Sequence, residues 1–297
     1  MSVKKIIKQI RYLLEAIIVN IGIILFNILG CKISSNLAAK IAVFIGLKLS
    51  VNKLAYNNIS NALPNLNKDQ KNKILREMWD NLGRIVGEYC HIGKMNNKNL
   101  KKIIFESDNF KKNIKNLKKN NKGGIIISGH IGNWEIGPKV LMSYGLDVNV
   151  LYRPLNNPFV EKITAKIRNI KLIKKGSKGT REIIEAIKKG QYVVILADQR
   201  VRGGQLVKFF HKEAITTTSI AKIALKYDID IIPARIIRLK NKHKFMVDID
   251  KPIKINQENA KKDLEVFDFT ATINQKLESW IKEFPAQWFW VHDRWKK

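Results

Sequence analysis

The sequence predicts an α/β fold with a mixed, largely parallel central sheet flanked by helices, behind an N-terminal hydrophobic anchor helix. Short apolar runs of strand length alternate with amphipathic runs of helical period through the middle of the chain, as in layered α/β folds. The 297 residues suffice for one large domain with a full core. No linker rich in Pro or Ser divides the chain, and no internal repeat is present. We therefore expect an anchor and an interfacial helix in residues 1–48, and one folded domain over residues 49–297.

The N-terminus has the charge pattern of a membrane anchor. Four basic residues between Lys4 and Arg11 precede an uncharged stretch from Ala16 to Cys31. These 16 residues are fewer than the roughly 20 that cross a bilayer perpendicularly. The basic flank favours a cytoplasmic N-terminus, but lysines also follow the stretch, so we expect an anchor that lies in, or partly crosses, the cytoplasmic leaflet. The apolar segment Ile41–Leu47, between two lysines, is predicted to be an interfacial amphipathic helix.

Two cysteines, Cys31 and Cys90, are too few for a disulfide framework and are typical of a reducing compartment. Ile28–Cys31 loosely imitates a lipoprotein signal, but Leu29 is large for its position two residues before the cysteine. We therefore favour the anchor over the exported alternative, and expect Cys90 to be a small core residue.

The middle of the chain contains five strand patterns and several helical ones. The fourth strand contains Pro233, which predicts an edge position or a late start because proline cannot donate a ladder hydrogen bond. The predicted strands are Ile125–Ser128, Val148–Tyr152, Tyr192–Ala197, Ile231–Ile237 and Phe245–Ile249, and the helices between them are Phe159–Ile170, Thr180–Lys189 and Thr218–Lys226.

A histidine and a glutamate, His130 and Glu135, follow the first of these strands, and Gly129 and Gly132 mark a sharp turn between the strand and the next helix. Five helical residues would rotate the two side chains about 140° apart, whereas a strand-to-helix turn lets them converge. An imidazole held by a carboxylate is a directed general base near neutral pH, and the amides of a helix start can stabilise an anion. The alternative is a capped helix with a hydrogen-bonded loop histidine.

Two other chemistries fit this turn poorly. One His and one Glu are half of a zinc site, and neither an HExxH pattern nor paired cysteines supply the rest, so we expect no metal. Ser128 lacks the Gly-x-Ser-x-Gly elbow of a serine hydrolase.

Polar residues also follow the second and third predicted strands. Arg153 follows Tyr152, and Asp198 follows Ala197. Because ligands gather at the carboxyl ends of parallel strands, we expect both residues to lie near His130. The alternative for Arg153 and Asp198 is a structural ion pair between loops.

The net charge of +30, from 55 basic and 25 acidic residues, predicts attraction to polyanions. Compositional drift explains part of it, since Lys, Ile and Asn are abundant throughout. Nucleic-acid binding is disfavoured because the basic runs lack interleaved aromatic residues and no known module is present. A membrane enzyme with anionic substrates also accounts for the N-terminus.

The string Gly129–Glu135 has the His-x4-Asp/Glu pattern of glycerolipid-type acyltransferases and specifically resembles the late acyltransferases of lipid A biosynthesis. The resemblance covers roughly residues 50–297. It departs from the family at His211, where the family commonly has glycine after paired phenylalanines, and at Arg200 and Arg202, where acidic or polar residues are common. The other segments that carry it are Asn58–Pro64, Asn81–Glu88, Tyr152–Pro154, Ala197–Gln199, Phe209–Phe210, Ala214–Thr218 and the tryptophan-rich end Gln287–Lys296.

The resemblance implies a membrane-associated enzyme at the cytoplasmic side of the inner membrane. It implies that residues 49–297 form an acyltransferase domain that moves a fatty acyl chain from acyl-acyl carrier protein to a hydroxyl of a 3-hydroxyacyl chain on a lipid A precursor, with no bound cofactor. His130 and Glu135 would be catalytic, with Glu135 orienting the imidazole. Amides near Gly132 and Asn133, or Arg153, would hold the oxyanion.

The same resemblance assigns substrate binding to Asn133, Arg153, Asp198, Gln199 and Arg200, with the arginines gripping acceptor phosphates. Partners would be the acidic acyl carrier protein, the lipid A precursor and membrane phospholipids, without nucleic acid. A glycerophospholipid or glycolipid acyltransferase with the same two residues is the alternative enzyme, and a basic peripheral membrane or nucleic-acid-binding protein is the alternative outside enzymes.

The closing tryptophans allow two interpretations. Trp288, Trp290 and Trp295 either pack into the core, which we favour, or Trp295 lies with Arg294 and Lys296–Lys297 at the level of the lipid headgroups.

Overall fold

A computed structural model describes residues 3–201, 203–240, 242–253 and 262–296. Within them, seven strands form one mixed sheet in the order β1-β9-β8-β2-β5-β3-β4, and β6 and β7 form a separate antiparallel hairpin. Every neighbouring pair in the large sheet is parallel except β8–β9, which confirms the predicted fold class. The strands are β1 Ile104–Glu106, β2 Gly124–Ser128, β3 Val148–Tyr152, β4 Lys171–Lys174, β5 Tyr192–Leu196, β6 Gln205–Phe209, β7 Lys212–Thr216, β8 Ile231–Arg238 and β9 Phe245–Ile249.

Helices cover both faces of the large sheet, so alternate side chains of its central strands enter two different cores. On β2, Ile125 and Ile127 face one core and Ile126 faces the other, and all three are buried. The helices are α1 Val3–Gly46, α2 Val51–Ala62, α3 Lys68–Ile92, α4 Asn97–Ile103, α5 Asp108–Asn120, α6 Gly137–Ser143, α7 Pro158–Arg168, α8 Ser177–Lys188, α9 Ser219–Tyr227 and α10 Lys262–Glu283, followed by a short 3-10 turn, Pro285–Gln287.

The anchor and the predicted interfacial helix are one element in the structure. Helix α1 kinks at Gly30, whose φ of 72° and ψ of 161° are non-helical. Before the kink its apolar side chains are largely exposed, and it is the one described helix long and apolar enough to cross a membrane. After the kink it packs on α3, where an added Cβ at Gly87 would lie 2.3 Å from the carbonyl oxygen of Ser34. Small residues therefore let the second half of α1 join the folded domain.

The predicted edge position of Pro233 is wrong, because β8 lies inside the sheet between β9 and β2. The proline stands where β8 changes partners. Its pairing with β2 ends at Pro233, opposite Ile127, and its pairing with β9 begins at Ala234. The missing N–H therefore falls at the junction of two ladders.

The C-terminal segment returns to the core, as we favoured. Trp288 and Trp290 are 1% and 0% exposed, and their rings meet edge to face at 4.6 Å. Arg294 is fully buried and donates to the carbonyl of Ile215 and the hydroxyl of Thr216, so it does not lie at a headgroup level. Burial lowers its pKa to about 10. Lys297 lies outside the described residues.

Candidate active site

The parallel pairing of β2 and β5 brings His130 and Asp198 together. The register places Ser128 opposite Leu196, and each functional residue lies two positions beyond its strand end. Both side chains therefore project from equivalent positions at the carboxyl edge of the sheet. The sequence interpretation placed His130 and Asp198 at this edge but did not pair them.

Asp198 holds the imidazole of His130 in one orientation. Its Oδ1 lies 2.8 Å from Nδ1 of His130, and its Oδ2 accepts the backbone N–H of His130 at 2.8 Å. Oδ2 also accepts the indole N–H of Trp288 at 2.7 Å. Because an ionised carboxylate only accepts hydrogen bonds, Nδ1 carries the proton and Nε2 presents its lone pair.

The carboxylate and the imidazole change each other's protonation. Burial opposes charge on Asp198, but the imidazole and the hydrogen bonds from His130 and Trp288 outweigh it and lower the pKa to about 2. Burial also opposes charge on His130, yet Asp198, with a contribution from Glu135, raises its pKa above the ordinary 6.5. The pair thus favours a base that accepts a proton readily at Nε2.

Nε2 of His130, the ring nitrogen that Asp198 does not contact, has an amide beside it. The side-chain nitrogen of Gln199 lies 3.3 Å from Nε2. The rings of Trp134 and Phe289 border the imidazole at centroid distances of 5.0 and 6.3 Å. The His130 side chain keeps 17% exposure, against 2% for Asp198, so the imidazole is more open to solvent than the carboxylate.

The predicted contact between Glu135 and the imidazole is wrong. Glu135 lies in the turn before α6, which begins only at Gly137, and its two oxygens accept from Nε and Nη2 of Arg168 at 2.9 and 2.8 Å. Arg168 is the last residue of α7 and also lies over the ring of Tyr89. Because α6 begins at Gly137, two residues after Glu135, the carboxylate of Glu135 lies on the side of the turn that contacts α7. Glu135 therefore acts on His130 through space and fixes α7 by contact.

The predicted substrate-binding role of Asn133 also disagrees with the structure. Asn133 is fully buried and donates to Oε2 of Glu88 at 2.7 Å, while its own oxygen accepts the N–H of Ile136. Glu88 is in turn paired with Arg238, and both side chains are 4% exposed. Asn133 thus holds the turn in place from its buried side, where no substrate reaches it.

At the predicted oxyanion site near the helix start, the backbone amide of Gly132 is not free to bind a ligand. The N–H of Gly132 already donates to the carbonyl of Gln287 at 3.1 Å. Gly132 itself has a φ of 60°, and an added Cβ would lie 1.7 Å from the carbonyl oxygen of Ile236, so only glycine fits. The 3-10 turn that follows α10, and not a ligand, therefore satisfies this amide.

Arg153 and Arg200 lie at the same edge of the sheet as His130. Arg153 is exposed at the end of β3, and Lys175 holds the equivalent position after the paired strand β4. Partial loss of hydration and the charge of Arg153 lower the pKa of Lys175. Arg200 is partly buried, its N–H donates to His292, and its Nε lacks a hydrogen-bond partner within the described residues. The edge thus presents several cations beyond the ends of β5, β3 and β4, on one side of His130 in the strand order.

Sequence reasoning missed Trp288, Arg168 and Lys175. The signal for Lys175 was its place after the short strand β4, which lacks an apolar run and was not predicted. Trp288 and Arg168 carried no local signal, because each reaches the turn from a distant part of the chain. In the described residues, no group of three or more His, Cys, Asp or Glu side chains is arranged to hold a metal ion.

Comparisons with known proteins show which family this chain is similar to. The model of a family described as bacterial lipid A biosynthesis acyltransferase matches residues 2–297. A lipid A biosynthesis palmitoleoyltransferase of Escherichia coli (strain K12) is 22% identical over 275 residues, which cover 90% of this chain and 84% of the relative. A lipid A biosynthesis acyltransferase of Shigella flexneri matches with the same identity and coverage.

Proposed function

The chain belongs to the bacterial lipid A biosynthesis acyltransferase family, and we propose that it transfers a fatty acyl chain from acyl-acyl carrier protein to a hydroxyl of a 3-hydroxyacyl chain on a lipid A precursor. The family supports the acyltransferase activity and its place in lipid A biosynthesis. The observation that carries the chemistry is the His130–Asp198 pair at adjacent strand ends, in which the carboxylate holds Nδ1 of a partly exposed imidazole.

Nε2 of His130 removes the proton from the acceptor hydroxyl. The alkoxide attacks the thioester carbonyl, and Asp198 stabilises the imidazolium that forms at 2.8 Å from it. When the tetrahedral intermediate collapses, the C–S bond breaks and the thiolate takes the proton back from the imidazolium. Because a thiolate is a good leaving group, no covalent enzyme intermediate is needed.

We propose that Gln199 stabilises the oxyanion. Its amide nitrogen lies 3.3 Å from Nε2 of His130, and its N–H group is one of the nearest donors to the reacting atoms. When the acceptor hydroxyl takes the place of this hydrogen bond on Nε2, the amide is released to donate to the thioester oxygen. Arg153, exposed one strand further along the sheet, is the second candidate donor.

The cations at the edge of the sheet suit a phosphorylated acceptor. Arg153 and Lys175 follow paired strands, and a dianionic phosphate would relieve their mutual repulsion. Arg200, partly buried two residues after Asp198, adds a third cation at this edge of the sheet. We propose that these three residues grip the acceptor and that Asp198 and Gln199 act on His130 and the thioester.

We further propose that α1 lies in the plane of the membrane surface and does not cross it. Near its start, Asn157 at the beginning of α7 donates to the carbonyl of Tyr12 and to Glu15. Asn27, about 22 Å further along at 1.5 Å per residue, accepts from Lys94 beyond α3. Both ends of the apolar stretch therefore contact polar parts of one folded domain.

A perpendicular span would carry one of these contacts across the bilayer, together with the exposed charges on α7. An in-plane helix instead buries its exposed isoleucines and leucines in one leaflet. The basic residues near its start favour the cytoplasmic leaflet of the inner membrane.

The function is tested with purified protein, acyl-acyl carrier protein and a disaccharide lipid A precursor, with mass spectrometry of the product. We expect an added acyl mass on a secondary hydroxyl and none with His130→Ala. Lysophosphatidic acid as the acceptor tests the glycerolipid alternative. Faster acylation of lysophosphatidic acid than of the precursor would overturn the proposed acceptor while leaving the acyltransferase intact.

A further inference from the structure

A concave surface lies at the C-terminal end of α1, and none of the residues around His130 lines it. This groove, of about 720 Å³, runs between the end of α1 and the start of α3. Its floor is apolar and is formed by Val43 and Phe44 of α1 and by Leu47 just beyond the end of the helix. We call it the α1–α3 groove.

The rim of the α1–α3 groove is basic. Five cations line it, against the two carboxylates of Glu77 and Asp80. Asp80 is already neutralised, because Arg84 and Lys242 both pair with it. The groove therefore carries an excess of positive charge around an apolar floor. The five lining cations are Lys40 from α1, Lys48 from the turn after α1, Lys73 and Arg76 from α3, and Lys242 from the loop between β8 and β9.

The floor continues into the surface that α1 presents to the membrane. Phe44 is 67% exposed at the groove, and Lys48 lies over its ring at 3.8 Å. Ile41 and Ile45, on the same half of the helix, are also exposed, at 45% and 51%. Exposed isoleucines next to a basic rim are typical of a surface that lies at the boundary between the acyl chains and the headgroups of a membrane.

We propose that the α1–α3 groove binds the headgroup of an anionic membrane phospholipid. The phosphate lies among Lys40, Lys73 and Arg76, and the first methylenes of the acyl chains lie on Phe44 and its apolar neighbours. Charge complementarity and the continuity with the exposed face of α1 select this occupant. The site would fix the depth and orientation of the enzyme on the bilayer, and it does not depend on the acyl-transfer chemistry.

The test uses the full-length protein and vesicles of phosphatidylcholine with or without phosphatidylglycerol, with partition measured by flotation. The groove variant is Lys40→Gln/Lys73→Gln/Arg76→Gln, in which all three positions are exposed. The control variant, Lys112→Gln/Lys115→Gln/Lys119→Gln, removes the same charge from the exposed side of α5. Circular dichroism verifies that both variants fold.

We expect the preference for phosphatidylglycerol vesicles to fall about fivefold for each charge removed from the groove, following the energy of a basic residue near an anionic membrane. In the control variant, the logarithm of the preference for phosphatidylglycerol vesicles should fall less than a third as far as in the groove variant. Equal losses in the two variants, or no loss in either, would show that the groove has no role beyond general charge.

Two further outcomes would also overturn the proposal. A groove variant that keeps its preference for phosphatidylglycerol but binds acyl carrier protein more weakly would make the groove a protein-docking surface. A loss that appears only when lipid A precursor is present in the vesicles would make it part of the acceptor site. Because neither readout requires turnover, failure here is distinguishable from failure of the proposed acyl transfer.

Discussion

Two buried carboxylates contact the turn of residues 129–135 from different sides, and they serve different purposes. Asp198 accepts from His130 and Trp288, and the partly exposed histidine keeps a second ring nitrogen that Asp198 does not contact. Glu88 accepts from Ser35, Asn133 and twice from Arg238, and all of these partners are buried. The network that ends at an open titratable atom is suited to catalysis, and the fully satisfied one to holding the turn in place.

The largest effect is expected from removing the imidazole of His130, whose Nε2 is the proposed base. His130→Ala should lower turnover by about 10²–10⁴-fold or more, because a positioned general base contributes on that order. Folding should be preserved, since a partly exposed loop histidine contributes little packing. Acyl transfer from acyl carrier protein, measured beside circular dichroism, checks both expectations, with the exposed His211→Ala as the control. A folded variant with near-normal turnover would remove His130 from the mechanism.

The next prediction separates Asp198 from Glu135. Asp198→Asn removes the charge that stabilises the imidazolium, so kcat should fall about 10²–10⁴-fold. Glu135→Gln keeps an oxygen for Arg168 and leaves the Asp198 contact intact, so its loss should be at least roughly tenfold smaller. Steady-state kinetics of the two variants decide the point. If Glu135→Gln is the more damaging change, the glutamate and not Asp198 orients the base during turnover.

Glu88, the carboxylate that holds the turn in place, should contribute to the free energy of unfolding. Glu88→Gln leaves Arg238 buried beside a neutral partner, and breaking a buried ion pair in this way costs about 3–5 kcal/mol. The exposed Glu185→Gln should change the free energy of unfolding by less than about 0.5 kcal/mol. Denaturant unfolding in detergent measures both. A Glu88→Gln protein as stable as the control would show that the network is not needed for the fold.

The smallest effect is on the pH dependence. Because Asp198 and Glu135 raise the pKa of His130 above 6.5, the base is protonated and inactive at low pH, and kcat/KM should rise through a pKa above that value. Asp198→Asn removes the main raising charge, so the residual activity should reach its plateau at lower pH. A profile measured with the wild type and Asp198→Asn tests the sign. An upward shift in the variant would contradict the assignment.

Most of the fold followed from local patterns. The five apolar runs became strands within a residue or two of their predicted bounds, because a run buried on both faces has few other stable conformations. Pro233 was misplaced because its neighbours decide whether its missing N–H matters, and β8 changes partners at that residue. The weakly apolar β4 and the hairpin β6–β7 escaped prediction because their pairing partners supply most of their stability.

The sequence by itself determined that His130 stands on a sharp turn after a strand and that Asp198 follows another strand, because glycines and apolar runs fix these features locally. Only the tertiary structure decided which carboxylate meets the imidazole. Glu135 is five residues away along the chain and Asp198 is 68, yet the parallel pairing of β2 with β5 sets Asp198 against Nδ1. Arg168, brought in by α7, takes Glu135 instead. Strand order depends on packing summed over the whole sheet, and no local spacing contains it.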